Sequence, residues 1–237
     1  MELSAGALAG ATIAFDLDGA LVDTAPDLIG ALNLVLEEEG LPPLPFASAR
    51  VLVGRGAKAL LERGFIAAGS PFDAARAPLL VERFIAVYFG CIAHESMPFD
   101  GVEAALDILA DTGARLCVCT NKRTDLSLAL LDALDLTRYF AAIVGADKAP
   151  AAKPDPRHLL AAIEAAGGSH TRAVMVGDSI TDIGAAKAAN VPVIAVSFGY
   201  TDIAPADLGA DALIDHYDQL PAAVARLLAC PAGAGKL

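Results

Sequence analysis

The stretch Ala173-Val174-Met175-Val176-Gly177-Asp178-Ser179-Ile180-Thr181-Asp182 holds the fold in miniature. It begins with an unbroken apolar run, which fits a strand covered on both faces. It ends in acidic and hydroxyl residues, and the segment from Thr181 to Ala189 places its apolar residues at helical spacing. A buried strand that passes through a polar turn into a helix is the repeating element of a helix-covered parallel sheet. The same pattern recurs on either side. Ala11 to Phe15, Ala114 to Thr120, Ala141 to Gly145, Val193 to Val196 and Ala212 to Ile214 read as further strands. Gly101 to Asp111, Thr124 to Leu134, Arg157 to Ala166 and Gln219 to Leu228 read as the intervening helices. The fold class expected is therefore α/β, a Rossmann-like parallel sheet with helices on both faces.

Residues 22–95 break that rhythm. Only helical stretches appear there, over Pro26 to Glu39, Ser48 to Val53, Gly56 to Ala68 and Asp73 to Ala93, separated by Gly- and Pro-rich breakers. Thr24 or Asp23 is placed to cap the first, and Pro26 suits its first turn. Residues 1–21 and 96–237 are thus expected to form the core, with an α-helical domain inserted over 22–95.

The chain has 237 residues, of which 55% are hydrophobic, enough for one generous domain or a core with a smaller insert. Twenty-nine acidic against seventeen basic residues give a net charge of −12, the wrong sign for gripping a nucleic-acid backbone. Nucleic acid is excluded as the main partner. The run from Met1 to Gly10 is apolar, but it lacks the positive start of a signal peptide and leads directly into the first strand. No uncharged run reaches the ~20 residues needed to cross a bilayer, so a cytoplasmic protein without a membrane partner is expected. The four cysteines are too scattered for a disulfide framework, and Cys117 and Cys119 should lie reduced and buried on one side of a strand. His94, His158, His170 and His216 form no ligand pair.

Asp16 and Asp18 leave the carboxyl end of the first strand, the edge at which open α/β sheets bind ligands. One residue apart in extended backbone, their side chains point the same way. Alone, the pair reads equally well as an acidic turn or as a site. Asp178 and Asp182 follow a second strand and share a face once a helix begins between them. A helix N-terminus decorated with acids explains one such cluster but hardly two on matching strand ends. Converging carboxylates repel unless a cation or proton intervenes, and an all-oxygen site that must also admit substrate oxygens suits Mg²⁺. Thr120 closes another strand, and with the following Asn121-Lys122 it offers a hydroxyl and backbone N–H groups to phosphate oxygens. Lys153 precedes a helix as a point cation.

These four features, in this order, resemble the haloacid dehalogenase superfamily. Its phosphatases carry Asp-x-Asp-Gly-Thr, a strand-end Ser/Thr, a loop Lys and Gly-Asp-x-x-x-Asp. The likeness spans essentially the whole chain, since the helical insert falls where the family inserts its α-helical cap. Val53-Gly54-Arg55-Gly56-Ala57, Thr120-Asn121-Lys122 and Lys153-Pro154-Asp155-Pro156 are moreover similar to the phosphoglycolate phosphatase group.

The resemblance implies a Mg²⁺-dependent phosphomonoester hydrolase acting on a small phosphorylated metabolite, 2-phosphoglycolate first among them, as a monomer or homodimer. It implies Asp16 as nucleophile and Asp18 as acid and base. Mg²⁺ would be held by Asp16, Asp178 and the Asp18 carbonyl, and Asp182, also counted with the metal site, would orient a metal-bound water or an inner ligand. Thr120 and Lys153 would stabilise transition-state charge, Asn121 would contact substrate, and the cap would select it. Arg55, between Gly54 and Gly56, reads either as a fork for a substrate carboxylate or as a solvated arginine in a turn. Ala20 departs from the family's threonine, removing a hydroxyl beside the nucleophile, and activity is expected to survive the change.

Other capped members of the superfamily, acting on nucleotides, sugar phosphates or pyrophosphate, and β-phosphoglucomutase stay open as alternatives. So does a degenerate homologue. A phospho-accepting receiver module fits poorly, because receivers place paired acids before the acceptor aspartate and carry no such insert. Dehalogenases proper lack an equivalent of Asp18, and phosphonoacetaldehyde hydrolases replace it with alanine.

Overall fold

The computed structural model describes residues 4–229; Met1 to Leu3, where the apolar N-terminal run begins, and Cys230 lie outside the described residues. Strand β1 (Thr12–Phe15) leads to a two-residue strand β2 (Val22–Asp23) and then to four helices, α1 (Ala25–Glu38), α2 (Phe46–Ala49), α3 (Ala57–Ala67) and α4 (Ala77–Gly90). The chain returns through β3 (Met97–Pro98) and α5 (Val102–Asp111) to β4 (Arg115–Thr120), α6 (Thr124–Ala133) and β5 (Ala142–Gly145). It continues through α7 (Pro156–Ala165), β6 (Ala173–Gly177), α8 (Ile180–Ala188), β7 (Val193–Val196), β8 (Ala212–Ile214) and α9 (Leu220–Ala229).

Six of the strands form one parallel sheet in the order β5-β4-β1-β6-β7-β8. The α/β class expected from the sequence is what forms. Alternation along each strand divides the apolar residues between two layers. Ile13, Phe15, Val118, Val174 and Val176 pack under α5, α6 and α9. Ala14, Cys117, Cys119, Met175 and Ala195 pack under α7 and α8. The central strands are largely apolar because water reaches neither face. Cys117 and Cys119 are free and buried on one face, and burial pushes the Cys119 thiol up to about 12. Among the described residues, no helix is long and apolar enough to cross a membrane.

Helices α1, α3 and α4 enclose a separate apolar cluster that includes Leu32, Leu36, Leu61, Phe65, Phe84 and Tyr88. The chain runs to and from these helices through β2 and β3, which pair antiparallel, Val22 with Pro98 and Asp23 with Met97. Asp27 on α1 is buried and accepts from the N–H and hydroxyl of Ser96 and from the N–H of Glu95, tying the return segment to the first helix. The expected helix over Ser48 to Val53 forms as the short α2 and a 3₁₀ turn, Arg50–Leu52. Neither expected cap of α1 acts as one. Thr24 occupies the capping position, but its hydroxyl donates to Asp18 instead. Asp23 accepts from the Tyr200 hydroxyl.

Candidate active site

Strand β1 lies inside the sheet, with β4 on one side and β6 on the other, and this is where the carboxyl ends open a crevice. Asp16 follows β1, Thr120 ends β4 and Asp178 follows β6. Lys153 arrives on the loop between β5 and α7, so adjacent strands deliver four groups to one place. Asp16, Asp18, Thr120, Lys153, Asp178 and Asp182 are all buried.

Lys153 is the hub. Its Nζ lies 2.9 Å from Asp16 Oδ1 and 2.6 Å from Asp182 Oδ1, and it donates to the Cys119 carbonyl at 2.7 Å. Burial works against its charge, but the carboxylates of Asp16 and Asp182 prevail and hold its pKa above the usual lysine value. The Asn121 side chain brackets the lysine's own backbone, accepting from Lys153 N–H at 2.9 Å and donating to its carbonyl at 3.2 Å. The side chain of Asn121 is thus spent on positioning the lysine. Asp182 answers to both sequence readings. Its Oδ2 accepts from the Ser179 N–H and hydroxyl in a capping box at the start of α8, while its Oδ1 takes the lysine.

Asp16, Asp178 and Asp182 each offer a carboxylate oxygen, and the three oxygens lie within 4.8 Å of one another. Asp178 Oδ2 accepts from the Tyr200 N–H at 2.6 Å, whereas its Oδ1 is buried without a partner among the described residues. A buried, unpartnered carboxylate oxygen facing other carboxylates is an unstable arrangement unless a cation or proton joins it. The oxygen-only donor set fits a hard divalent ion such as Mg²⁺. Without one, burial first and then neighbouring Asp182 push Asp16 up to about 7, and burial likewise raises Asp178. The Asp18 side chain is not part of this triad. It accepts two bonds from Lys122 Nζ, at 2.8 and 3.0 Å, and one from the Thr24 hydroxyl at 2.7 Å.

Arg55 is exposed, and although Gly54 and Gly56 line the cavity beside Asp18, it does not. Ala20 is fully buried, and its carbonyl accepts from the Tyr217 hydroxyl at 2.8 Å, so a hydroxyl from α9's approach steadies this turn. Sequence reasoning assigned no role to the Lys122 side chain or to Tyr200. Both sit just beyond strand ends on the ligand-binding edge, and that rule alone would have singled them out.

The pattern of the haloacid dehalogenase-like hydrolase family matches residues 13–196. A phosphoglycolate phosphatase of Caulobacter vibrioides is 60% identical over 95% of this chain and 95% of its own. One of Agrobacterium fabrum is 46% identical over 89% of this chain and 90% of its own. The crystal structure of a predicted phosphoglycolate phosphatase from Haemophilus somnus superposes with a TM-score of 0.83 at 27% identity, over 91% of this chain and 98% of the other.

Proposed function

The chain belongs to the haloacid dehalogenase-like hydrolase family and is a phosphatase, and from that premise we propose that it converts 2-phosphoglycolate to glycolate and phosphate through an aspartyl-phosphate, with Mg²⁺ as cofactor. The observation that carries the reading is Asp16: a buried carboxylate at the end of the central strand, 2.9 Å from a buried ammonium and within the acidic triad.

In this reading Asp16 attacks phosphorus and the bond to the leaving oxygen breaks, splitting one hard displacement into two easier ones. Asp18 gives its proton to the leaving alkoxide. As a carboxylate it then takes a proton from the water that cleaves the aspartyl-phosphate, which releases phosphate and restores Asp16. Lys153 and the Thr120 hydroxyl stabilise the charge on the transferring phosphoryl oxygens. Asn121 and Asp182 keep Lys153 in place. Asp16, Asp178 and the Asp18 carbonyl would hold Mg²⁺, which would supply positive charge to offset the repulsion between carboxylate and phosphate.

The relatives named above support 2-phosphoglycolate as substrate, and so does the space beside Asp18. That cavity, lined by Leu28, Val53, Leu60, Phe84 and Tyr88 among others, measures about 60 Å³. An apolar cavity that takes benzene is roughly 150 Å³, so the helices over residues 22–95 act as a cap that favours a short leaving group over a sugar.

Phosphate release from a panel of monoesters, with and without Mg²⁺, tests the assignment as ratios of kcat/KM. Highest kcat/KM on 2-phosphoglycolate, with Mg²⁺ required, is expected. No turnover of any monoester, by the wild type or by Ala20→Thr, defeats the mechanism. Preference for a sugar phosphate, or its isomerisation, replaces the substrate.

A further inference from the structure

The cavity beside Asp18 contains a cation that the mechanism above leaves idle. Lys122 stands two residues beyond the end of β4, with its N–H donated to the Thr120 hydroxyl at 3.2 Å and its carbonyl accepting from Ala146 N–H at 3.1 Å. Its ammonium is nearly sealed from water, the residue being only 7% exposed. Two donors go to the Asp18 oxygens, and the ring of Tyr88 on α4 covers the ammonium at 4.6 Å. An ammonium has three N–H donors, so one is left without an oxygen. The Tyr88 hydroxyl is also buried without a partner among the described residues. Asp18, Lys122 and Tyr88 all line the same cavity, whose other walls are mainly apolar.

We propose that Lys122 is a specificity-determining residue that receives a carboxylate on the substrate's leaving group, with the Tyr88 hydroxyl as second donor. The inference rests on the phosphatase reading above and assigns its leaving-group site. A substrate bearing a carboxylate must bring that charge into a dry cleft beside Asp18, where an unpaired anion is costly. Lys122 lies against Asp18 and offsets that cost. The apolar walls strengthen the contact, because a low dielectric magnifies a bond between ions. Other cations near the cavity are spoken for or turned away. Arg123 pairs with Asp125 at 2.6 Å on the surface, and Arg55 is exposed. A neutral leaving group of equal length would gain nothing from the free donors.

The test compares 2-phosphoglycolate with ethyl phosphate, which has the same two carbons and no carboxylate. Lys122→Met should lose about 100-fold in kcat/KM on 2-phosphoglycolate, mainly through KM, as expected when one partner of a buried charge pair is removed. Its loss on ethyl phosphate should be at least tenfold smaller, and Lys122→Arg should recover part of the preference. Tyr88→Phe keeps the ring and should cost about tenfold on 2-phosphoglycolate alone. Glycolate without phosphate should raise the melting temperature of the wild type and not of Lys122→Met. Equal losses on the two substrates overturn the proposal. If Lys122→Met does not fold, Tyr88→Phe decides, and an unchanged preference there overturns it as well. A wild type that hydrolyses other monoesters but neither of these sinks the 2-phosphoglycolate reading itself, and this inference with it.

Discussion

Lys153 and Asp182 are joined at 2.6 Å in an ion pair with both side chains fully shielded from water. Removing one partner of a buried pair costs up to about 3–5 kcal/mol, an upper bound here because Lys153 keeps Asp16 at 2.9 Å. Asp182→Ala also removes the capping box of α8, whereas Ser179→Ala removes only the cap, worth about 0.5–2 kcal/mol. Urea unfolding of both variants should therefore show a clearly larger loss for Asp182→Ala. Equal losses would reduce Asp182 to a helix cap.

The carboxylates predict how metal and pH act together. Burial and Asp182 raise Asp16 from 3.8 to about 7. Between those values the folded protein keeps a proton that the unfolded chain has lost. The group's contribution to stability is thus complete below pH about 4 and fades as pH climbs to 7. A divalent cation takes the proton's place, so its binding strengthens as the proton leaves. Mg²⁺ should raise the melting temperature little at pH 5 and much more at pH 7.5. The same increment at both would contradict binding at these carboxylates.

Gly19 adopts φ +83°, and a Cβ there would collide with Asp178 Oδ2 and come within 2.7 Å of the Tyr200 ring. Gly19→Ala combines left-handed strain with a clash against Asp178, a proposed metal ligand, so it should destabilise by about 1–3 kcal/mol. It should also weaken Mg²⁺ activation. Calorimetric titration with Mg²⁺ reads the second effect directly, and wild-type affinity would show that Asp178 can move aside.

Tyr200 links the acidic triad to the helical insert. Its N–H holds Asp178, and its hydroxyl donates to Asp23 at 2.6 Å while accepting from Ala25 N–H at 3.0 Å. Its ring lies 4.9 Å under the Arg50 guanidinium. Tyr200→Phe keeps the ring and releases the junction of β2 and α1. It should cost about 1–3 kcal/mol by leaving buried polar groups unmet, and should shift kcat and KM together, as hinge changes do. Asp16→Asn should instead abolish turnover, by at least about 10⁴-fold on the precedent of other nucleophiles.

Much of this was legible because burial on both sheet faces writes itself into sequence as unbroken apolar runs. Ala173–Gly177, Val193–Val196 and Ala212–Ile214 form with the bounds expected, and the other sheet strands fall within a residue. β2 and β3 escaped notice because two residues carry no periodicity. Thr24 was expected as a cap by local chemistry, but a tertiary acceptor, Asp18, claimed its hydroxyl. The convergence of Asp16, Asp178 and Asp182 could be inferred from matching strand ends. The partner of Asp18 could not, since Lys122 comes from a strand end 104 residues away, and spacing along a chain does not name partners across it.

The placement of β1 sets the order in which the protein can be completed. The strand that carries Asp16 is made first, yet Thr12 must wait for Arg115 on one side and Ala173 on the other. At about 5–20 residues per second of synthesis, the second neighbour follows roughly 10–30 s later. Until β4 is made both edges of the strand are bare, and the edge that β6 covers stays bare for the rest of that interval, a natural client surface for a chaperone. The loop bearing Tyr200, which braces Asp178, is made later still. A ribosome-bound fragment that stops short of it has Asp16 but not the N–H that holds Asp178.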